Sequence, residues 1–260
     1  MHIRKRILAI GIVVLFVYIS LLYFLRSIYV FPILMYHGID KNPHNSKIIV
    51  TPEDFKAQMD YLKKHQFRVI SLNDLVELLK ADKKPPLKTV VITFDDGYDN
   101  NYKYAYPALK ENDFPATIFV VAGLVDKDGY LTTGELREMS QNRIDIGSHS
   151  FSHRWLPKVD KEEDLIKEII DSKDKLKDIL NKDINLFCYP AGGFDNRVKA
   201  LVKSSGYLGA CTTSPGRNFP DHDIFALKRV RISGGKNNLL VFRIKISGYH
   251  TWIKEHRDDD

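Results

Sequence analysis

Cysteine is scarce in this chain, since its 260 residues contain only Cys188 and Cys211. Two cysteines exclude a disulfide-dense scaffold and a cysteine-rich zinc module, so any metal site must be built from histidine and carboxylate side chains. The two thiols either pair, as an extracytoplasmic compartment would permit, or pack as small hydrophobic groups within strands. Low-complexity segments are also lacking, and a hydrophobic content of 44% excludes a disordered chain. The sequence therefore predicts a globular fold with an ordinary core.

Acidic residues are missing from the first 27 positions, which instead contain a long apolar run. Residues 7–25 carry no formal charge and would reach about 28 Å as a helix, enough to span a bilayer. Arg4, Lys5 and Arg6 precede the run and Arg26 follows it, so the charge excess predicts an N-terminus inside and the remainder outside. We expect residues 1–27 to form a single-pass anchor in the cell membrane and residues 28–260 to form one extracytoplasmic domain. A cleaved signal peptide is the alternative, although no small-x-small cleavage pattern follows the run.

The formal charge of +6 comes largely from that segment. Removing residues 1–27 removes four basic residues and no acidic one, which lowers the formal charge from +6 to +2. This small remaining charge argues against a nucleic-acid partner. The expected partner of residues 7–25 is the lipid bilayer, and the oligomeric state leaves no signature in the sequence.

Short apolar runs rich in β-branched residues alternate with helical signals along the rest of the chain. The runs predicted as strands are 32–39, 67–72, 89–94, 116–121, 144–149, 185–189, 208–213 and 225–232. Helix signals occur at residues 51–54, 71–79, 101–112 and 196–204, and residues 161–182 have the pattern of a solvated helix with one buried stripe. This alternation predicts an α/β fold of buried parallel strands joined by helices. Periodicity leaves two architectures open, a doubly wound sheet and a closed barrel.

Two adjacent carboxylates follow the apolar run at 89–94. Asp95 and Asp96 come directly after it, and Gly97 is next. Successive side chains of a strand point to opposite faces, so both carboxylates reach one site only if the strand ends between them. In such a site different environments separate their roles, one serving as an ionised metal ligand and the other as a proton acceptor. The alternative is a turn in which these residues only supply caps and a positive φ.

His149 and His153 follow the predicted strand at 144–149 with a spacing of four residues. On a helical turn this spacing places two imidazoles on the same side, which suits coordination of one metal. With one carboxylate they form a donor set that holds Zn²⁺ or a similar divalent ion and leaves coordination positions open. A metal held in this way lowers the pKa of a bound water to about 7 and polarises a carbonyl. The residues therefore predict a hydrolase.

Two further segments carry candidate site residues. Residues 187–193 end a strand in Pro190 and small residues, whose N–H groups could stabilise an oxyanion, but a simple strand-to-helix turn fits the sequence equally well. His37 follows the first predicted strand of the domain. It is either a hydrogen-bonded structural histidine or, if that strand lies beside the others in a barrel, an acid that protonates a leaving group.

Taken together, these segments resemble the polysaccharide deacetylase family of carbohydrate esterases. The resemblance covers residues 32–232 and rests on four motifs in order: MYH at 35–37, TFDDG at 93–97, HSFSH at 149–153 and YPAG at 189–192. It implies a distorted (β/α) barrel, here of about seven to eight mostly parallel strands and preceded by the transmembrane helix. It also implies metal-dependent removal of acetyl groups from N-acetylated sugars. By the same resemblance Asp95 would be the general base, Asp96, His149 and His153 the metal ligands, Ala191 an oxyanion donor through its N–H, and Tyr189 and Pro190 substrate contacts.

The chain departs from the commonest pattern of that family in two places. Cys188 stands two residues before the motif proline, where the family carries an arginine that orients the base. A C-terminal Leu-x-His-Asp strand is also missing, because His222 and Asp223 read as a loop. Both departures resemble a permuted branch of the family in which His37 would be the acid. Arg229 would then match the basic position that orients a carboxylate, unless it is a solvated or membrane-surface arginine.

Together with the apolar run at residues 7–25, the resemblance predicts a membrane-anchored N-deacetylase with Zn²⁺ as its expected cofactor. Its expected partner outside the cytoplasm is an acetylated glycan polymer, either peptidoglycan or an exopolysaccharide of N-acetylglucosamine. Two alternatives stay open: an O-acetyl esterase on the same scaffold, and a catalytically silent, membrane-tethered glycan-binding module.

Overall fold

A computed structural model describes residues 2–42, 46, 48–219, 223–235 and 238–250, without the side chains of residues 2–5, 8, 9 and 238. His222 and the last ten residues of the predicted domain lie outside the described residues.

Short strands alternate with helices along the described chain. The strands are β1 (Ile33–Tyr36), β2 (Gly38–Ile39), β3 (Ile49–Val50), β4 (Arg68–Ile70), β5 (Thr89–Phe94), β6 (Ala116–Val120), β7 (Ile144–Ser148), β8 (Leu186–Cys188), β9 (Gly209–Cys211) and β10 (Val230–Arg231). The α-helices are α1 (His2–Ile28), α2 (Pro52–Lys64), α3 (Leu72–Lys80), α4 (Tyr106–Asn112), α5 (Thr133–Ser140), α6 (Glu162–Ile166), α7 (Ser172–Leu180), α8 (Asn196–Ser204) and α9 (Asn238–Lys245). Two π-helical turns, Asn101–Ala105 and Lys167–Asp171, precede α4 and α7.

Eight strands form one sheet whose pairings are all parallel. Its order is β10-β1-β5-β6-β7-β8-β9, with β4 paired to the first half of β5. The segment before β10 returns to the other edge, because Leu227 pairs with Cys211 and the Thr212 N–H donates to the Leu227 carbonyl at 2.9 Å. The sheet therefore curls back on itself. The predicted distorted (β/α) barrel is confirmed, and the doubly wound alternative is set aside.

Alternate strand residues divide between two buried clusters. Leu34, Ile92 and Ile118 belong to the cluster that also contains the apolar faces of the surrounding helices. Ile33 and Val91, one residue earlier in their strands, belong to a second cluster with Phe119, Leu186, Cys188, Cys211 and α3. This second cluster fills the barrel interior. Because residues two apart share a face of a strand, Asp95 continues the inward row of Val91.

Local capping explains where the helices begin. The Thr51 hydroxyl accepts a hydrogen bond from the Asp54 N–H at 3.2 Å, and Pro52 occupies the first turn of α2, as the sequence predicts. Asp195 caps α8 in the same way by accepting from the Val198 N–H at 2.8 Å.

Several elements differ from the sequence prediction. The helix predicted over 161–182 is divided into α6, a π-helical turn and α7. Residues 225–232 provide only the two-residue strand β10 and the Leu227 bridge. The sequence analysis missed α5, α9 and the small β2–β3 sheet. Cys188 and Cys211 are opposite each other in the β8–β9 register, and both are buried free thiols.

The N-terminal helix is the described helix that is long and apolar enough to cross a membrane. Its candidate span, Ile10–Ile28, has a mean hydropathy of 2.1 and none of it is buried against the barrel. Length and composition thus agree with the predicted apolar segment.

Candidate active site

The predicted site residues follow neighbouring strands of the barrel at the point where each strand ends. His37 follows β1, Asp95 follows β5, His149 follows β7 and Tyr189 follows β8. The carboxyl ends of parallel strands meet at one rim, which is where (β/α) barrels collect their functional groups. The topology therefore brings residues from distant parts of the chain to one end of the barrel.

Asp95 forms a buried ion pair with Arg229. Arg229 Nη1 donates to Asp95 Oδ1 and Nη2 donates to Oδ2, both at 2.7 Å. Each residue is only 1% exposed. Arg229 was predicted either to orient a carboxylate or to lie at the surface, and the structure places it in the barrel interior against Asp95.

The remaining donors of Arg229 are also occupied. Nε donates to the Thr212 carbonyl at 2.8 Å, Nη1 donates to Thr93 Oγ1 at 3.0 Å, and Nη2 contacts Cys188 Sγ at 3.0 Å. All five N–H groups of the guanidinium therefore have acceptors. The Cys188 thiol accepts one of these bonds, at the position where the commonest family pattern carries an arginine.

Electrostatics keep Asp95 ionised. Burial alone would raise the pKa of Asp95, but the charge and hydrogen bonds of Arg229 outweigh it and lower the pKa to about 2. His149 and His37 lower the Asp95 pKa further, which places His37 within electrostatic reach of this carboxylate. Burial raises the pKa of the Cys188 thiol well above its ordinary value, so that thiol is neutral.

Asp96, His149 and His153 converge beside this ion pair. Asp96 Oδ1 lies 3.5 Å from His149 Nε2 and 3.4 Å from His153 Nε2. The ligand atoms of all three residues lie within 4.8 Å of one another. This is the donor set that the sequence predicts.

The spacing of these atoms fits a tetrahedral metal ion. Ligand atoms about 2.1 Å from one ion in tetrahedral geometry are about 3.4 Å apart, which matches the two measured distances. His149 Nδ1 makes a 2.8 Å hydrogen bond to the Cys188 carbonyl, so Nδ1 carries the proton and the Nε2 lone pair faces Asp96. Burial lowers the pKa of His149, which favours the neutral imidazole that a metal requires.

A loop, not a helical turn, brings the two histidines together. Residues 149–155 contain no helix, and Ser150 and His153 have φ values of 64° and 63°. The predicted helical arrangement of His149 and His153 is therefore wrong, although their rings do meet, with centroids 4.9 Å apart. Asp96 also has a left-handed φ, of 72°, and Gly97 follows at 73° with Val120 atoms 3.3 Å from where a Cβ would lie. Such conformations cost energy and concentrate at functional sites.

Glu168 holds this loop and was missed by the sequence analysis. It is 3% exposed and lies in the π-helical turn before α7. Its Oε2 accepts hydrogen bonds from the Phe151 N–H at 3.1 Å and the Ser152 N–H at 2.9 Å, and Oε1 accepts one from the Ser152 hydroxyl. The signal available in the sequence was its spacing: Glu168 lies three residues after Leu165 and one before Ile169, beside the apolar stripe of the predicted helix.

Ala191 and His37 complete the rim. Ala191 is exposed and left-handed, with a φ of 50°, and none of the described residues accepts a hydrogen bond from its N–H. His37 Nδ1 is buried and has no hydrogen-bond partner among the described residues. The Ala191 N–H is thus available to a ligand, whereas His37 is half-buried and its Nδ1 is enclosed.

Tyr189 and Pro190 have a different environment from the one predicted. The Tyr189 ring is 0% exposed, stacks on Phe194 at 4.6 Å between centroids, and donates its hydroxyl to the Phe225 carbonyl at 2.9 Å. Pro190 is also buried. Neither side chain is therefore exposed to contact a substrate as predicted, because both rings point into the core.

The fold and these side chains define a (β/α)-barrel protein with a candidate hydrolase site at the rim. A model of the polysaccharide deacetylase family matches residues 82–210, a range that includes Asp95, His153 and Ala191 but neither His37 nor Arg229. The candidate polysaccharide deacetylase YxkH of Bacillus subtilis strain 168 is 34% identical over 204 residues, which cover 78% of this chain and 72% of that protein. The chain therefore belongs to the polysaccharide deacetylase family and is a deacetylase, an enzyme of the hydrolase class.

Two further relatives agree with this assignment. The poly-β-1,6-N-acetyl-D-glucosamine N-deacetylase of Staphylococcus epidermidis is 29% identical over 206 residues, which cover 74% of this chain and 71% of that enzyme. The structure of the Streptococcus pyogenes deacetylase PplD in complex with acetate superposes with a TM-score of 0.74. It is 29% identical, and the match covers 82% of this chain and 97% of that one.

Proposed function

We propose that this protein is a metal-dependent N-deacetylase that acts outside the cytoplasm on a glycan containing N-acetylglucosamine. The observation that carries the proposal is the contact between two groups of residues: the ionised Asp95–Arg229 pair adjoins the Asp96–His149–His153 donor set. Amide hydrolysis needs a base that accepts a proton from water and a metal ion that polarises the carbonyl, and these two groups of residues can supply both.

Asp96, His149 and His153 would hold the metal, for which Zn²⁺ is the best match because one carboxylate and two imidazoles are typical zinc ligands. When bound, such an ion polarises the acetyl carbonyl and makes a coordinated water more acidic. The Cys188 carbonyl supports this site through His149 Nδ1, and Glu168 supports it through the loop that carries His153.

Asp95 is the proposed general base. A carboxylate has about four lone pairs that can accept hydrogen bonds, and Arg229 uses one on each Asp95 oxygen. The remaining lone pairs can accept a hydrogen bond from the attacking water. The same pairing fixes the orientation of the carboxylate and keeps it deprotonated at neutral pH. Arg229 therefore acts as a positioning residue for the base.

His37 and the Ala191 N–H are the proposed partners of the leaving group and the oxyanion. His37 follows β1 at the same rim and is only half-buried, so the accessible part of its imidazole can donate a proton to the departing amine. An exposed N–H without an acceptor can donate to the oxyanion that develops from the acetyl oxygen. Tyr189 and Pro190 would contribute to substrate binding only through the backbone of this turn.

The relatives support the substrate class. The name of the S. epidermidis relative gives poly-β-1,6-N-acetyl-D-glucosamine as its substrate, and that exopolysaccharide is the first polymer to test here. Peptidoglycan is the second, because it contains N-acetylglucosamine as well.

We further propose that residues 1–27 anchor the enzyme in the cell membrane and that residues 28–260 form its catalytic domain. The exposed apolar surface of α1 supports the anchor, because Ile7, Val14 and Phe16 are each at least 60% exposed. The burial of Tyr29, Val30 and Phe31 supports a domain boundary directly before them.

Acetate release from purified enzyme tests this function. We expect release from β-1,6-linked N-acetylglucosamine oligomers, loss of release on chelation, recovery with Zn²⁺, and at least about 100-fold slower release by Asp95→Asn. Release from an O-acetylated but not an N-acetylated glycan would make the protein an esterase. Glycan binding without release of acetate would overturn the proposal in favour of a silent binding module, provided that Asp95→Asn leaves that binding unchanged.

A further inference from the structure

Trp155 is the exposed aromatic side chain in the described part of the chain that follows α1. It is 47% exposed, whereas the other described aromatic residues of the barrel are buried or half-buried. An indole left in water forgoes much of the stabilisation that its burial would give. Its exposure leaves a flat apolar surface that a ligand can cover.

The position of Trp155 relates it to both halves of the candidate active site. It lies two residues after His153, and its ring rests on Gly193, two residues after Ala191. A Cβ atom on Gly193 would lie 2.5 to 2.6 Å from three ring carbons of Trp155, closer than real contacts allow. The ring thus packs directly on the Gly193 backbone. It connects the loop that carries His153, a proposed metal ligand, with the loop that carries Ala191, the proposed oxyanion donor.

Neighbouring contacts fix this ring at the rim. The Trp155 carbonyl accepts a hydrogen bond from the Lys158 N–H at 3.1 Å, and the next residue, Leu156, is fully buried. On the other side of the contact, the Gly193 N–H donates to the Pro190 carbonyl at 3.1 Å. These contacts hold both backbone segments, so the ring edge that meets Gly193 is fixed while the residue stays 47% exposed.

We propose that Trp155 is a stacking platform for a pyranose ring of the substrate, adjacent to the residue that is deacetylated. The C–H groups of a pyranose face carry partial positive charge and pack well on the negative face of an aromatic ring. A neutral N-acetylhexosamine polymer offers no charge for an ion pair, so stacking and hydrogen bonds must supply its affinity. This inference rests on the proposed function and names a subsite for it.

A binding measurement tests the platform without turnover. The chain contains two tryptophans, so Trp252→Phe leaves Trp155 as the sole indole. We expect the fluorescence of metal-stripped Trp252→Phe protein to change saturably with a β-1,6-linked N-acetylglucosamine pentamer. An unchanged spectrum at pentamer concentrations that saturate deacetylation by the loaded enzyme would overturn the inference.

Kinetics test the same subsite in the loaded enzyme. Trp155→Ala should raise KM for the pentamer about 10-fold, with a smaller change in kcat, and Trp155→Phe should retain part of the affinity. The KM for a dimer should change less, because a dimer reaches fewer subsites. Leu87→Ala is the matched control, since Leu87 is 54% exposed but lies before β5, at the opposite end of the barrel from Asp95.

The outcomes separate this inference from the proposed function. Equal pentamer KM values for active wild type and active Trp155→Ala would overturn the platform and leave the deacetylase assignment intact. A saturable fluorescence change without acetate release from any glycan would support the platform and contradict the proposed activity. Absence of both would contradict both.

Discussion

Arg229 and Asp95 form a pair in which each partner depends on the other for its burial. Both are 1% exposed, and all five donors of the guanidinium are occupied. Removing one partner of a buried ion pair leaves the other charge without compensation in a medium of low polarity. The base of the proposed reaction is thus also a structural element of the barrel interior.

We expect Arg229→Ala to lower the free energy of unfolding by about 3 kcal/mol or more, because it strands the Asp95 carboxylate. Arg229→Lys should cost less but lose the two-pronged contact. Urea denaturation in the presence of a chelator gives these values. Arg231→Ala, an exposed arginine two residues away in β10, should change stability by less than about 0.5 kcal/mol. Equal stabilities of the two alanine variants would contradict the role assigned to the pair.

The sequence indicated most of the site at the level of residue type. Asp95, Asp96, His149 and His153 were selected because polar side chains follow the apolar runs at 89–94 and 144–149, and the two histidines are four residues apart. The sequence did not decide whether the Arg229 side chain points into the barrel or to the surface. That direction depends on the pairing of β10, which is only two residues long. The exposure of Trp155 was missed, because it depends on a contact with Gly193 from a distant loop.

The loop at residues 149–155 depends on a separate element for its shape. Glu168 accepts hydrogen bonds from two consecutive N–H groups of the loop and from the Ser152 hydroxyl. The sequence predicted a solvated helix with one buried stripe over residues 161–182, and the structure buries Glu168 within the π-helical turn Lys167–Asp171. Because π-helical turns recur at functional sites, we infer that this turn serves to orient the loop that carries His153.

Glu168→Ala should weaken Zn²⁺ binding about 10- to 100-fold while the barrel stays folded, because the loop loses its three hydrogen bonds. Glu168→Gln keeps an acceptor oxygen and should fall between the alanine variant and wild type. Competition with a zinc-sensitive chelating dye measures the affinity, and circular dichroism checks the fold. Glu163→Gln, an exposed acid in α6, is the control and should bind Zn²⁺ as wild type does. Wild-type affinity in folded Glu168→Ala would refute the orienting role.

For the whole molecule, the junction between α1 and the barrel is abrupt. Ile28 ends α1, and Tyr29, Val30 and Phe31 are already buried. The Val30 N–H donates to the Gly248 carbonyl at 2.7 Å, and the Tyr29 hydroxyl accepts from the Lys88 N–H at 3.0 Å. Tyr29 and Phe31 belong to the cluster inside the barrel, which supports the proposed domain boundary at the end of the apolar helix.

A chain that begins at Tyr29 should therefore fold and stay in the soluble fraction, whereas the full chain should sediment with membranes. A chain that begins at Ile33 should be less stable by about 3 kcal/mol or more, because it loses the buried Phe31 and Tyr29 side chains. Fractionation and urea denaturation measure the two effects. Full-length protein in the soluble fraction would argue against the anchor, and equal stability of the two shortened chains would contradict the boundary.

The most direct test of the proposed metal centre is the anomalous diffraction of crystals grown with Zn²⁺. We expect one strong peak at about 2.0 to 2.2 Å from Asp96 Oδ1, His149 Nε2 and His153 Nε2, and no peak there in crystals of Asp96→Ala. A strong peak bound instead by Asp95, His149 and Cys188, or no peak at this rim of the barrel, would contradict the account.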